Sequence, residues 1–163
     1  MSADAPDLHE APVLPEAPAA IRAEILDWLT RFSATVRGVD YRSAYPFWHP
    51  RIIAFGTVQP IVEGLEVFRD RQWESVWPKT TDFTFRLDVT RVLASPDGRM
   101  AVAIAPFTST GYAPDGTRFD RPGRTTLILV PGTGEAWVAV HSHMSLARGV
   151  PADSHGNRPV KAR

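Results

Sequence analysis

A chain of 163 residues is long enough for one domain with a proper core and too short for two comfortable ones. Its 44% hydrophobic and 22% charged residues are those of an ordinary globular protein, and 18 Lys plus Arg against 18 Asp plus Glu give no bulk attraction to nucleic acid or to an anionic membrane. The absence of cysteine excludes disulfides, thiolate metal sites, iron–sulfur clusters and a cysteine nucleophile.

No apolar run approaches the roughly 20 residues that span a bilayer. The start, MSADAPDLHEAPVLPEAPAA, has neither the basic beginning nor the apolar middle of a signal peptide, so the cytoplasm is the expected compartment. Residues 1–18, rich in Ala, Pro, Asp and Glu, read as a mobile arm. Residues 147–163, with Gly149, Pro151, Gly156 and Pro159, read as a loose tail, which leaves 19–146 as the domain.

Ile21, Ile25, Trp28, Leu29, Phe32 and Val36 fall at helical spacing and predict a long amphipathic helix that stops at Gly38. Asp40 can cap a second, short helix through Tyr41, Ala44 and Tyr45, ended by Pro46. Arg51–Gly56 predicts a short strand. Leu65, Phe68, Trp73, Val76 and Trp77 mark a third helix, closed by Pro78.

The period then changes. Phe83–Ala94, Arg99–Tyr112, Arg118–Val130 and Ala136–Leu146 read as four long strands joined by turn signals at Pro96-Asp-Gly98, Pro114-Asp-Gly116 and Pro131-Gly-Thr-Gly134. The expected fold class is α+β: a curved antiparallel sheet, a four-stranded meander plus one short strand, wrapped on three N-terminal helices. Neither face of the last two strands is convincingly polar. The face away from the helices is therefore expected to be covered by a second copy, in a homodimer packed sheet to sheet.

The last strand concentrates the polar chemistry. In Trp137-Val-Ala-Val-His-Ser-His-Met-Ser145, alternation puts His141, His143 and Ser145 on one face. Histidine changes charge near neutrality, so the pair can serve as acid/base or hydrogen-bonding groups, or can be structural. A metal site needs at least a third ligand and only His49 is at hand, so no metal is expected. Arg124, after Pro122-Gly123, can hold a carboxylate as a planar fork or pair with an acid such as Asp120. Among the aromatics, Tyr41, Trp48 and Trp73 are the candidates for lining a cavity, the others for core. No Gly-rich phosphate loop and no Gly-x-Ser-x-Gly elbow occurs.

Four segments carry a resemblance: Trp48–Gly56, Ile61–Phe68, Gly123–Leu129 and Trp137–Ser145. Together with the element order they resemble the nuclear transport factor 2-like (cystatin-like) superfamily, and within it the SnoaL-like and ketosteroid-isomerase-like proteins. The Val-Glu-Gly and His-x-His-x-Ser pieces are also similar to the association domain of calcium/calmodulin-dependent protein kinase II. The resemblance implies a conical pocket between sheet and helices, dimerisation through the open sheet face, and His141 and Ser145 on the pocket side. It implies no cofactor. It departs from ketosteroid isomerase where Ala54-Phe-Gly-Thr57 offers no acid at the position of that family's base.

Two functions follow as expectations. One is a pocket for a small carbonyl or carboxylate compound, oriented by His141, His143 and Arg124, with or without cofactor-free acid/base catalysis by His143 and His141. The other is a non-catalytic ligand-sensing or dimerisation module. Whether the protein is an enzyme stays open at this point.

Overall fold

The computed structural model describes residues 15–161. Helix α1 (Ala19–Gly38) buries Ile25, Trp28, Leu29, Phe32 and Val36, the stripe its spacing predicts. Its end differs in detail. Gly38 is still helical, and the left-handed residue that closes the helix is Val39, at φ 49°. A β-branched residue strains that conformation. Burial of its side chain and the hydrogen bond its carbonyl accepts from the Lys161 amide hold it there.

Asp40 caps helix α2 (Tyr41–Ala44) by accepting from the Ser43 amide and hydroxyl. A 3-10 turn at Tyr45–Phe47 then feeds strand β1 (Trp48–Phe55). After the two-residue β2 (Val62–Glu63), the expected third helix is three joined pieces: α3 (Leu65–Phe68), a π-helical stretch Arg69–Trp73, and α4 (Glu74–Val76). Within the wider π turn both Gln72 and Trp73 are buried, although they are neighbours in sequence.

The sheet has eight strands: β1 and β2, then β3 (Thr81–Phe85), β4 (Arg91–Ala94), β5 (Ala101–Tyr112), β6 (Arg118–Asp120), β7 (Gly123–Pro131) and β8 (Trp137–Leu146). The main order is β2-β1-β8-β7-β5-β3, with β4 and β6 also paired to β5. Two expected strands are broken. A 3-10 turn at Leu87–Val89 divides β3 from β4, and Arg121-Pro122 divides β6 from β7, because Pro122 has no amide to give the ladder. The sheet is also mixed, since β1 runs parallel to β8. The α+β class and the curved sheet under N-terminal helices hold.

The concave face carries Ala101, Ala103 and Ala105 on β5, Leu127 and Leu129 on β7 and Ala139 on β8, all buried. Those three alanines leave room over the central strand for aromatic side chains. Gly123 serves the same end: a Cβ there would fall 2.1 Å from the Phe107 ring.

At the head of β3, Asp82 (φ 59°) accepts hydrogen bonds from the Thr81 and Thr110 hydroxyls and from Arg118. The two hydroxyls, with help from Arg118, hold its carboxyl below the usual aspartate range. A carboxyl held down in the fold contributes stability above its ordinary pKa and loses that contribution as pH falls through the lowered value. Asp82→Asn is expected to lower the urea midpoint at about pH 7 and to leave it almost unchanged at about pH 2.

The chain ends are better fixed than their composition suggests. Of the expected arm, residues 1–14 lie outside the described residues, but Pro15 and Ala17 hydrogen-bond along β4, to Ala94 and Val92. The expected loose tail is tied down as far as Lys161. His155 donates to Tyr112, Gly156 to Lys79, and the Arg158 side chain to Trp77 at 2.7 Å. The tail thus runs from the sheet to the end of α1. No helix among the described residues is long and apolar enough to cross a membrane.

Candidate functional site

A cavity lies between the helical layer and the concave face of the sheet. Its walls are aromatic: Trp48 from β1, Phe68 and Trp73 from the α3–α4 segment, Trp77 from the 3-10 turn Trp77–Lys79 that follows it, Phe83 and Phe107 from the sheet. Trp73 stacks on Trp77 with ring centroids 4.6 Å apart, and Trp48 sets its edge against Phe68 at 5.5 Å. Free space in the cleft, mouth included, is about 490 Å³, but the centre of a water-sized sphere fits in only about 40 Å³ of it. A bulky polycyclic ligand does not fit this shape; a short one does.

Against these walls stands Arg121, 2% exposed. The kink between β6 and β7 delivers it. Its amide donates to the Ser109 carbonyl and its carbonyl accepts from the Ser109 hydroxyl, so the backbone is fixed from both sides. The side chain is far less well served. One terminal nitrogen makes a long 3.4 Å contact to the Ala152 carbonyl, and Nε has no acceptor. Burial pushes the guanidinium pKa down, and Asp153 acts on it through space in the opposite sense. Trp48 Nε1, also on a buried residue of the wall, lacks a partner too among the described residues.

The sequence over residues 25–149 matches the SnoaL-like domain family. The chain belongs to that family. No curated protein matches the SnoaL-like chain. Among solved structures, a nuclear transport factor 2-like superfamily protein from Salmonella enterica serovar Typhimurium aligns at TM-score 0.67 and 19% identity, over 82% of this chain and 96% of that one. The CaMKII hub of S. rosetta aligns at TM-score 0.62 and 21% identity, over 82% and 99%. A ketosteroid isomerase-like protein from Erwinia carotovora atroseptica aligns at TM-score 0.62 and 15% identity, over 78% and 94%. At these identities the likeness establishes the fold of the SnoaL-like domain and no more.

In this SnoaL-like domain the histidines of β8 do not reach the cavity. Leu129 pairs with Ala139 but Ile128 pairs with His141, so β8 has one extra residue, Val140, in its ladder with β7. This bulge reverses the alternation. Ala139 faces the core before it; after it Ser142 and Met144 do, which turns His141, His143 and Ser145 to the opposite face. There His141 Nδ1 donates to the Ile53 carbonyl at 2.8 Å, and the Phe55 ring packs on both imidazoles, 5.3 Å from His143. Arg124 joins them, its Nε donating to Ser145 Oγ at 3.0 Å. The expectation that His141 and Ser145 line the pocket is corrected by this single residue.

Of the aromatic candidates, Trp48 and Trp73 are on the cavity wall. Tyr41 lies behind it, its ring against Trp73 and Trp77. The residues the sequence reading missed are Arg121, Gln72, Thr57 and Met144. Arg121 had one legible signal, its place in Asp120-Arg-Pro-Gly123, a strand breaker that swings a side chain out of register.

Among the described residues no group of three His, Asp or Glu is placed to hold a metal ion. Among the described residues, Arg121 is the one ionisable group on the cavity wall, beside aromatics, Thr57, Gln72, Thr80 and Ser109. Such a set can fix an anion. It offers no side chain to take or give a proton near neutral pH.

Proposed function

We infer that the protein is a binding domain for a short organic monocarboxylate, held by its charged end on Arg121 and by its apolar end between Trp48, Trp73 and Trp77. The observation that carries this reading is the buried guanidinium, whose Nε finds no acceptor among the described residues and whose terminal nitrogen has a long contact to the Ala152 carbonyl. Burying a charge with so few hydrogen bonds is unfavourable, so a site that keeps one suits an anion that completes it. The guanidinium fork suits a carboxylate through two parallel hydrogen bonds. The unpartnered Trp48 Nε1 is a further donor for a ligand oxygen or hydroxyl. A binding role, as opposed to proton-transfer catalysis, is favoured because the described residues of the cavity wall include no carboxylate, histidine or tyrosine.

A thermal-shift panel of short aliphatic and aromatic carboxylates, run beside their neutral amides, tests this. Stabilisation by acids at concentrations well above Kd should reach about 2–4 kcal/mol. Stabilisation by acids and amides alike would remove the role assigned to Arg121.

A second reading concerns the opposite sheet face. Ile53 and Ile104 are 45% and 44% exposed there, beside the half-buried Val102 and Ile128. An apolar sheet face of this kind fits a second copy packed on it, and two solved structures of similar fold are called a hub and an association domain. Light scattering at micromolar concentration should give twice the chain's 18.0 kDa or a higher even multiple. Ile104→Lys should give the monomer.

A further inference from the structure

The cavity is a partly open cleft, and it has a neighbour. Where β1 and β8 end, an open groove runs past Phe55, His143, Ser145 and the tail residues Val150 and Ala152. Two residues, Thr57 and Met144, line both this groove and the inner cavity. They are the partition between the two spaces.

Neither half of the partition is built like core. Met144 is an unbranched, adaptable side chain that changes rotamer at small energetic expense. Thr57 belongs to the loop after β1, and one side chain holds that loop. Gln72 Oε1 accepts from the Val58 and Gln59 amides at 3.3 and 3.4 Å, while its Nε2 donates to Thr57 Oγ1 at 3.1 Å. The π turn is what brings Gln72 to face inward. The loop itself exposes Val58 and Ile61, which contribute little to keeping it shut. A latch of three long or ordinary hydrogen bonds is weak enough to open on its own.

We propose that the ligand reaches Arg121 from this groove, and that Met144 together with the Gln72-latched loop forms the gate that sets the size of what passes. The groove brings His143 and Ser145, the latter hydrogen-bonded to Arg124, to the start of the route. This places donor and cationic groups along the path of an anion, and it gives the polar cluster of β8 a part outside the cavity. The route rests on the cavity being the binding site inferred above, though not on the charge of its ligand.

Tryptophan quenching in the full chain tests it, because Trp48, Trp73 and Trp77 line the cavity. The probes are acrylamide, which is neutral, and iodide, a small anion. Met144→Ala removes part of the partition. Gly56→Ala attacks the latch independently, since a Cβ on Gly56 would fall 2.0 Å from Gln72 Oε1. Val76→Ala is the control: it adds space on the cavity wall away from the groove. Acrylamide quenching of the buried tryptophans should rise about threefold or more in both gate variants and stay unchanged in the control. An equal rise in Val76→Ala, or none in either gate variant, overturns the gate. If Met144→Ala does not fold, Gly56→Ala alone decides. Adding Arg121→Met to the gate variant separates the two ideas. If the extra iodide quenching survives that change while acrylamide behaves as expected, the gate stands and the anion reading fails.

Discussion

Arg121→Met is expected to stabilise the protein and to abolish its binding of carboxylates. The two effects have one cause. In the free protein the guanidinium sits almost wholly out of water with one long hydrogen bond and an unpartnered Nε, so much of its hydration is lost and little replaces it. Methionine occupies similar length in an aromatic wall without that penalty. Replacing whole buried ion pairs by apolar side chains is often neutral or gains about 1–4 kcal/mol, and a gain of that order raises Tm of a chain of this size by roughly 2–4 °C per kcal/mol. The same change removes the fork that completes a carboxylate. A structural arginine gives the opposite sign, a loss of stability with no effect on ligand. Chemical denaturation of the two proteins without ligand, followed by carboxylate titration of each, distinguishes the cases.

Trp73→Ala is expected to cost about 3–5 kcal/mol, enough to threaten folding of a domain of ordinary stability. Trp73 is 2% exposed and its ring meets those of Tyr41, Tyr45, Trp48, Phe68 and Trp77. It comes from the π turn, so it ties the α3–α4 segment both to α2 and to β1. Truncation would leave a void between three elements that cannot all close on it. Trp73→Phe keeps most of the contacts and should lose well under half as much. Urea midpoints of the two variants check the order; equal losses would mean that the ring contacts matter less than the indole N–H.

The resemblance to a known superfamily and the layout were legible because each rests on patterns that tertiary structure seldom overrides. The α1 stripe, the Asp40 cap and the change from helical to alternating period all reappear as expected. Trp48 and Trp73 were legible for the same reason: large aromatics on elements that wall a cone have few other places to go. The histidines were misread because parity is a cumulative inference. One bulge at Val140, with no glycine or proline to announce it, reverses every side chain after it. Arg121 was passed over for Arg124 because the sequence reads as one strand through 118–130, while the chain breaks at Pro122 and turns Arg121 inward. The tail was misread from composition. Its glycines and prolines do suggest a loose end, but Arg158 and the His155 and Gly156 amides find acceptors on distant elements, which no local pattern reveals.

Calorimetric titration with propionate and with propionamide, on the wild-type chain and on Arg121→Met, decides whether Arg121 holds an anion. The two probes have nearly the same shape and differ in charge. Propionate should bind saturably to the wild type and not to Arg121→Met, and propionamide should bind weakly or not at all to both. Binding of propionamide as tight as that of propionate, or propionate binding undiminished in Arg121→Met, would contradict it.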